Sequence, residues 1–511
     1  MKKHFFRTRK AQYGGVTALL TVLVIVVTLL ANAVFGTLAA RYGWHTSMTA
    51  VGNYDVSDTC YALLDEILDE GSQKNVEILF CDTYQNVVDD GTLSYVYETA
   101  SSLAERYPDR LSVSCHDIMT NPNTVRQYAT AQNLQTGETQ EIPIYETSVI
   151  LASEDYHRVY NLEDFFVFEG GNASNVWAYK GERKLVAGIL HAVDEQAPTV
   201  CLTNNHGEVF YDYELLYLLD DAGYRISYID LYEDEIPDSC NLIISYNPNT
   251  DLVADSLSEK SEIEILDAFL ERDGNNFLVF VENGTPKLPN FESYLADWGF
   301  AFQYFTDVNT GNSYRYMVQN NTQSLTSDGY TIYGEPITSG RSGELLDGLT
   351  RKTVFRNSTA MVAAKGFVNN GDGSFTKGDR TLYSLYESGE GTVSWAHGAA
   401  VASGSTMLMG VSEQNTNGRV CRVGVVSSVR FLTEEYLQSA VYGNSDLSMR
   451  LFGTLGKDFV PEGLTIKPFS SLEISTVTTA QMVQWTLWLT LTPTVAVTAI
   501  ALIVLIRRRR A

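Results

Sequence analysis

Much that catalytic chains carry is missing here. There is no C-x-x-C pair and no spacing of cysteine and histidine that closes a structural zinc site. H-E-x-x-H, G-x-S-x-G, G-x-G-x-x-G and G-x-x-x-x-G-K-S/T are all absent. With them go the metalloprotease helix, the serine nucleophile elbow, the dinucleotide turn and the phosphate-binding loop. No repeat recurs at a solenoid period. Positive charge is scarce: 36 Lys and Arg stand against 62 Asp and Glu, for a net charge of −26. Basic residues crowd the two ends, at Lys2, Lys3, Arg7, Arg9 and Lys10 and at Arg507, Arg508, Arg509 and Arg510, with no acid among them. The rest of the chain is therefore more acidic still, a surface that repels nucleic acid and anionic lipid headgroups. The cysteines Cys60, Cys81, Cys115, Cys201, Cys240 and Cys421 are scattered among apolar runs. They read as isolated small core residues rather than a disulfide framework, although a location outside the cell permits bridges.

What is present begins at the ends. Residues 12–40 and 482–506 carry no charged side chain, and each run exceeds the roughly 20 residues that cross a bilayer. The expectation is one transmembrane helix at each end. Basic flanks stay inside, so tails 1–11 and 507–511 are expected in the cytoplasm and the large middle outside. Trp485 and Trp488 suit the outer interface of the second span. The other reading of the first run is a signal peptide cleaved near Ala31-Asn32-Ala33.

Between the ends, periodicity predicts two α/β domains. In 41–165, Ser57 suits an N-cap, and Leu63, Leu64, Ile67 and Leu68 form a helical stripe. Strands are expected at 76–81 and 111–118, a helix at 93–107, and a hairpin at 147–162 around Glu154-Asp155. The order β-α-β-α-β-β, with a short helix opened by Asn121-Pro122, resembles a thioredoxin-like domain. That fold's redox enzymes need a second thiol, whereas this chain reads Cys81-Asp82-Thr83-Tyr84, so thiol redox catalysis is excluded. In 166–478, strands at 199–203, 225–231, 240–248 and 276–283 alternate with helices at 211–222, 258–272 and 291–298. That alternation predicts a doubly wound, flavodoxin-like parallel sheet, interrupted by a polar, β-rich insertion near 300–398. Within it, NNGDGSFTKGD at 369–379 lacks the glycine and closing glutamate of a calcium loop and reads as a hairpin tip.

The first strand of this second domain ends abruptly at Asn204-Asn205-His206-Gly207-Glu208. Strand-to-helix corners are where doubly wound folds bind ligands. An imidazole beside a carboxylate there has three readings. It is a turn, with Asn205 and Gly207 bending the chain and Glu208 near the positive helix end; or a ligand or partner contact at Asn204, His206 and Glu208; or an acid–base pair. Catalysis needs convergent partners. The nearest other histidine, His191, lies on the preceding helix, and His397 lies far along the chain. The structural turn is the favoured reading; Asn204, His206 and Glu208 are the candidate ligand or partner contacts, and no catalytic residue, metal site or cofactor is expected.

The same corner carries a family likeness. KLVAGILHAVDEQAPTVCLTNNHGE, from Lys184, resembles the G-H-G-E segment of the Gld-type, gliding-motility-associated auxiliary proteins of ABC transporters. Tyr54-Asp55-Val56-Ser57 resembles their Y-D-x-S segment. LDAFLERDGNNFLVFVENGTPKLPNFESYLADWGF, from Leu266, resembles the helix, strand and loop of their second domain. EPIT, from Glu335, resembles an H-P-I-T motif, and RVCRVGVVSSVRFLTEEYLQSAVYGNSDLSMRLFGTL, from Arg419, resembles their closing strand and helix. Asn205 stands where the family has Gly, and Glu335 where it has His. The resemblance implies a non-catalytic, substrate-binding-like auxiliary subunit at a bacterial cell membrane. Its partners would be a permease, a cytoplasmic ATPase and an extracellular ligand or protein. The alternatives are a stand-alone envelope scaffold or sensor, and an ectoenzyme, a hydrolase, working through His206 and Glu208.

Overall fold

The computed structural model describes residues 55–70, 74–168, 176–194, 197–254, 261–439, 441–456 and 460–469. They belong to one compact unit, 53–469; the second unit, 1–52 with 470–511, lies outside the described residues.

The first sheet has four strands: β1 (Val76–Phe80), β2 (Leu111–Cys115), β3 (Val149–Ala152) and β4 (His157–Tyr160), in the order β2-β1-β3-β4. β1 runs parallel to β2 and antiparallel to β3, with Ile78 opposite Val113 and Leu151. Helix α1 (Asp58–Glu70) starts where the Ser57 hydroxyl accepts the Cys60 N–H at 3.2 Å. Helix α2 (Leu93–Arg106) buries Leu93, Val96, Ala100 and Leu103, one stripe at helical spacing. Both helices pack on Ile78, Phe80 and Leu151. The opposite face, with Leu79, Ile150 and Cys81, is covered around Val125.

Strands β5 (Phe166–Phe168) and β6 (Val176–Tyr179) pair antiparallel and lead to helix α3 (Gly181–Val193). Every α3 residue except His191 is buried. A Cβ at Gly188 would come within 2.6 Å of the Leu151 side chain, so only glycine lets α3 lie this close to the first sheet. The buried charges of α3 are all partnered. Glu182 meets Lys467 at 2.6 Å, Arg183 donates to the Leu464 carbonyl at 2.9 Å, and Lys184 meets Asp221 at 2.6 Å.

The second sheet begins with β7 (Thr199–Thr203), β8 (Arg225–Ile229), β9 (Cys240–Tyr246) and β10 (Asn276–Phe280), parallel in the order β8-β7-β9-β10. Alternate residues go to opposite faces. Val200, Leu202, Ile244 and Leu278 face α4 (Glu214–Asp221), whereas Cys201, Ile243 and Val279 face α5 (Glu262–Leu270) and α6 (Pro289–Asp297). Beyond β10 the order changes. β11 (Arg380–Glu387), β12 (Met407–Thr416) and β13 (Arg419–Val426) extend the sheet as β10-β13-β12-β11. β13 is parallel to β10, but β12 and β11 are antiparallel. Helix α7 (Asn444–Leu455) packs on the same face as α4, and strand β14 (Lys467–Pro468) returns to pair with β6.

The expected fold class needs correcting in two respects. The chain is a mixed α/β fold with several sheets, and its large sheet is mixed rather than a doubly wound parallel one. The reason is the Asn417-Gly418 turn, with φ of +55° and +88°. Such a two-residue turn joins neighbouring antiparallel strands, so β12 and β13 form a hairpin and the parallel run stops at β13. The flanking transmembrane helices also find no support: among the described residues no helix is long and apolar enough to cross a membrane. The runs 12–40 and 482–506 lie outside the described residues.

Candidate functional site

The corner after β7 is a loop, not a helix start. The Asn204 N–H extends the pairing to β8 by donating to the Ile229 carbonyl at 3.2 Å. Gly207 then adopts φ +72°, the left-handed conformation that glycine tolerates. The His206 carbonyl accepts two N–H groups, from Asn249 at 2.7 Å and Thr250 at 2.9 Å. The Asn249 side chain donates to the Gly207 carbonyl at 2.9 Å. The corner is thus clamped to the turn that follows β9. Glu208 folds back on its own strand, accepting the Thr203 hydroxyl and, at 2.8 Å, the His206 N–H.

The imidazole points inward. His206 Nε2 lies 3.1 Å from Glu262 Oε2, and Nδ1 lies 3.9 Å from Glu208 Oε1. Glu262 opens α5, and its carboxylate also accepts the Val253 N–H at 2.7 Å and the Asn205 side-chain amide at 3.1 Å. That amide reaches Asp230 as well, at 2.8 Å. Burial disfavours the imidazolium, but the hydrogen bond and charge of Glu262, then Glu208 and Asp230, outweigh it and raise the His206 pKa. Burial likewise opposes ionisation of Glu262, but the His206 hydrogen bond, the Val253 N–H and the imidazolium charge hold its pKa below the usual value.

Of the three expected contact residues, only Asn204 is exposed; the side chains of His206 and Glu208 are 5% and 2% accessible. Glu208 does not sit at the positive end of a helix, because α4 begins only at Glu214. His191 bonds the Asp220 carbonyl at 2.9 Å, between α3 and α4, and His397 stacks on Tyr314 at 4.7 Å. Neither converges on His206. All six cysteines are free. Burial pushes the thiol of Cys81, at the end of β1, up to about 12.

A second cluster sits at the carboxyl ends of β10 and β13, where open α/β sheets present their ligand crevice. The Tyr211 hydroxyl donates to Glu282, and the Arg430 guanidinium lies over the Tyr211 ring at 4.2 Å. Arg430 Nε stands 3.7 Å from Glu282 Oε2, too long for a hydrogen bond. Thr285 accepts the Glu282 N–H at 2.9 Å and donates to Asn247 at 2.8 Å. Tyr211 is 44% exposed, so this group has an accessible aromatic face backed by a buried carboxylate. Sequence reading missed it because its members come from four separate loops. The usable signal was that each lies at or beyond the carboxyl end of a strand of the large sheet.

No family model matches the chain, and no curated protein does. Similar solved structures include the mmIFT52 N-terminal domain, at 14% identity over 50% of this chain and 96% of that one, with a TM-score of 0.35. Another is PurLQS from Thermotoga maritima, at 13% identity over 51% of this chain and 97% of that one, with a TM-score of 0.24. At these scores neither bears on activity.

Proposed function

We propose that this chain is a non-catalytic binding component of an ABC transporter complex, working beside a separate permease and a cytoplasmic ATPase. The observation that supports the non-catalytic part is the state of the corner. The one acid–base pair offered by the sequence is spent on structure, with His206 facing Glu262 at 3.1 Å and Glu208 tied to its own strand. A buried imidazole with both neighbours engaged has no open side for a substrate, which argues against the hydrolase reading. The transporter part rests on the ordered resemblance of segments from Tyr54 to Leu455 to the Gld-type auxiliary proteins.

The test is affinity capture of the tagged full-length chain in mild detergent, with mass spectrometry of what accompanies it. Stoichiometric recovery of a polytopic permease and a nucleotide-binding ATPase is the expected result. Recovery of the chain alone, across several detergents, overturns the transporter reading in favour of a stand-alone scaffold or sensor.

A further inference from the structure

A cleft of 220 Å³ lies beside α3 and α4 and is closed by the segment after β13. It holds an unusual cation. Lys180, the partly buried residue before α3, lines the cleft. Its ammonium makes no hydrogen bond or ion pair with any other described residue. Every other basic group in the cleft is engaged: Lys184 by Asp221 at 2.6 Å, Arg183 by the Leu464 carbonyl at 2.9 Å. Asp164, Glu214 and Asp221 line the same cleft and attract the ammonium, but none is within ion-pair distance of it; a partly buried ammonium without a direct partner is costly, and the partner it lacks is an anionic oxygen. The rim carries the opposite charge. Glu163 and Glu434 line it as exposed carboxylates, neither in an ion pair with a described residue. Phe168, Leu437 and Ile466 supply apolar wall.

We propose that this cleft binds a small apolar amino acid as the free zwitterion, its carboxylate on Lys180 and its ammonium toward Glu163 and Glu434. A cleft of this volume suits a small ligand. The acidic rim disfavours a simple anion, and the free lysine disfavours a simple cation; a zwitterion satisfies both. The site does not rest on the transporter reading.

Protonation gives an independent handle. Burial, and then the neighbouring Lys184 charge, lower Lys180 to about 8, against the opposing pull of Glu214, Asp221 and Asp164. Glu214, held up by burial, and the cleft residues Arg183, Glu163 and Glu434 complete the charged surroundings. A carboxylate bound to the ammonium is lost as Lys180 deprotonates, so affinity falls as pH rises past about 8.

The experiment is calorimetric titration of the full-length chain with L-leucine, with isocaproate, which lacks the ammonium, and with isoamylamine, which lacks the carboxylate. Leucine is expected to bind at least about tenfold more tightly than either, since each end contributes a charge-assisted hydrogen bond. Lys180→Met should bring leucine down to the level of isoamylamine, and Lys180→Arg should retain the preference. Glu163→Gln with Glu434→Gln, on the exposed rim where folding is not at stake, should bring leucine down to the level of isocaproate. Equal binding of leucine and isocaproate overturns the proposal. So does leucine affinity unchanged by the rim substitutions, or absence of heat with all the common apolar amino acids.

Discussion

His206→Ala tests whether the corner is held by charge. The substitution removes one member of a buried pair 3.1 Å apart, both side chains no more than 5% accessible. Breaking such a pair typically costs about 3–5 kcal/mol because the remaining charge is left buried. Glu262 keeps two other donors, Val253 N and the Asn205 amide, which places the expectation at the lower end, about 3 kcal/mol. For a body of this size that is a fall in melting temperature of about 3–6 °C. The pH dependence gives the sharper signature. The His206 pKa is raised above 6.5 in the folded chain, so its contribution is complete below 6.5 and is lost as pH rises through the folded value. The Glu262 pKa is lowered below 4.5, so its contribution is present above 4.5 and is lost as pH falls through the folded value. The gap between wild type and variant should therefore be widest between those two reference values, 4.5 and 6.5, and close toward alkaline pH. Differential scanning fluorimetry of both proteins from pH about 4 to about 9 measures it. A gap that stays constant from pH about 6 to about 9 refutes the ion pair and leaves only a lost side chain.

Two further outcomes follow from the fold. Gly188→Ala places a methyl within 2.6 Å of Leu151; it should destabilise the body by about 1–3 kcal/mol, read as a lower urea midpoint, and an unchanged midpoint means α3 does not lie against the first sheet as described. Cys81, buried and with its thiol pushed up to about 12, should resist iodoacetamide at pH about 8 until denaturant is added, and native-state alkylation at Cys81 in peptide mapping contradicts the packing.

What was legible in the sequence was local. The α1 stripe with Ser57 before it, the hairpin turning at Glu154-Asp155, the strand at 199–203 and the strand expected at 276–283, which ends at Phe280, each carry their own period and punctuation. Those are the signals that neighbouring residues alone can write. The alternation of strand and helix up to α6 predicts a parallel sheet with the β-rich stretch as an insertion, whereas β11 from that stretch joins the large sheet and runs antiparallel to β12. The Asn417-Gly418 dipeptide between two apolar runs is the signal that marks the change. Helix α4 was placed too early: apolar spacing begins near 211, but Tyr211 and Asp212 are used elsewhere, on Glu282 and on the Glu434 N–H.

The corner shows why residue types near a turn are poor evidence for chemistry. An imidazole, a carboxylate and two amides at the carboxyl end of a strand describe both an acid–base site and a polar clasp, because both need charged hydrogen bonds in a partly dry place. What separates them is whether donors and acceptors are left over. Here the deciding partners, Asn249 and Glu262, both come from the connection between β9 and β10, and nothing within 204–208 announces them. Lys180 is the converse case. In sequence it is a lone lysine before a helix, without motif or neighbour to recommend it. In the fold, Lys184 and Arg183 beside it are engaged, whereas among the described residues the Lys180 ammonium has no hydrogen-bonded partner; the proposed site therefore follows from a leftover charge rather than from the conspicuous histidine.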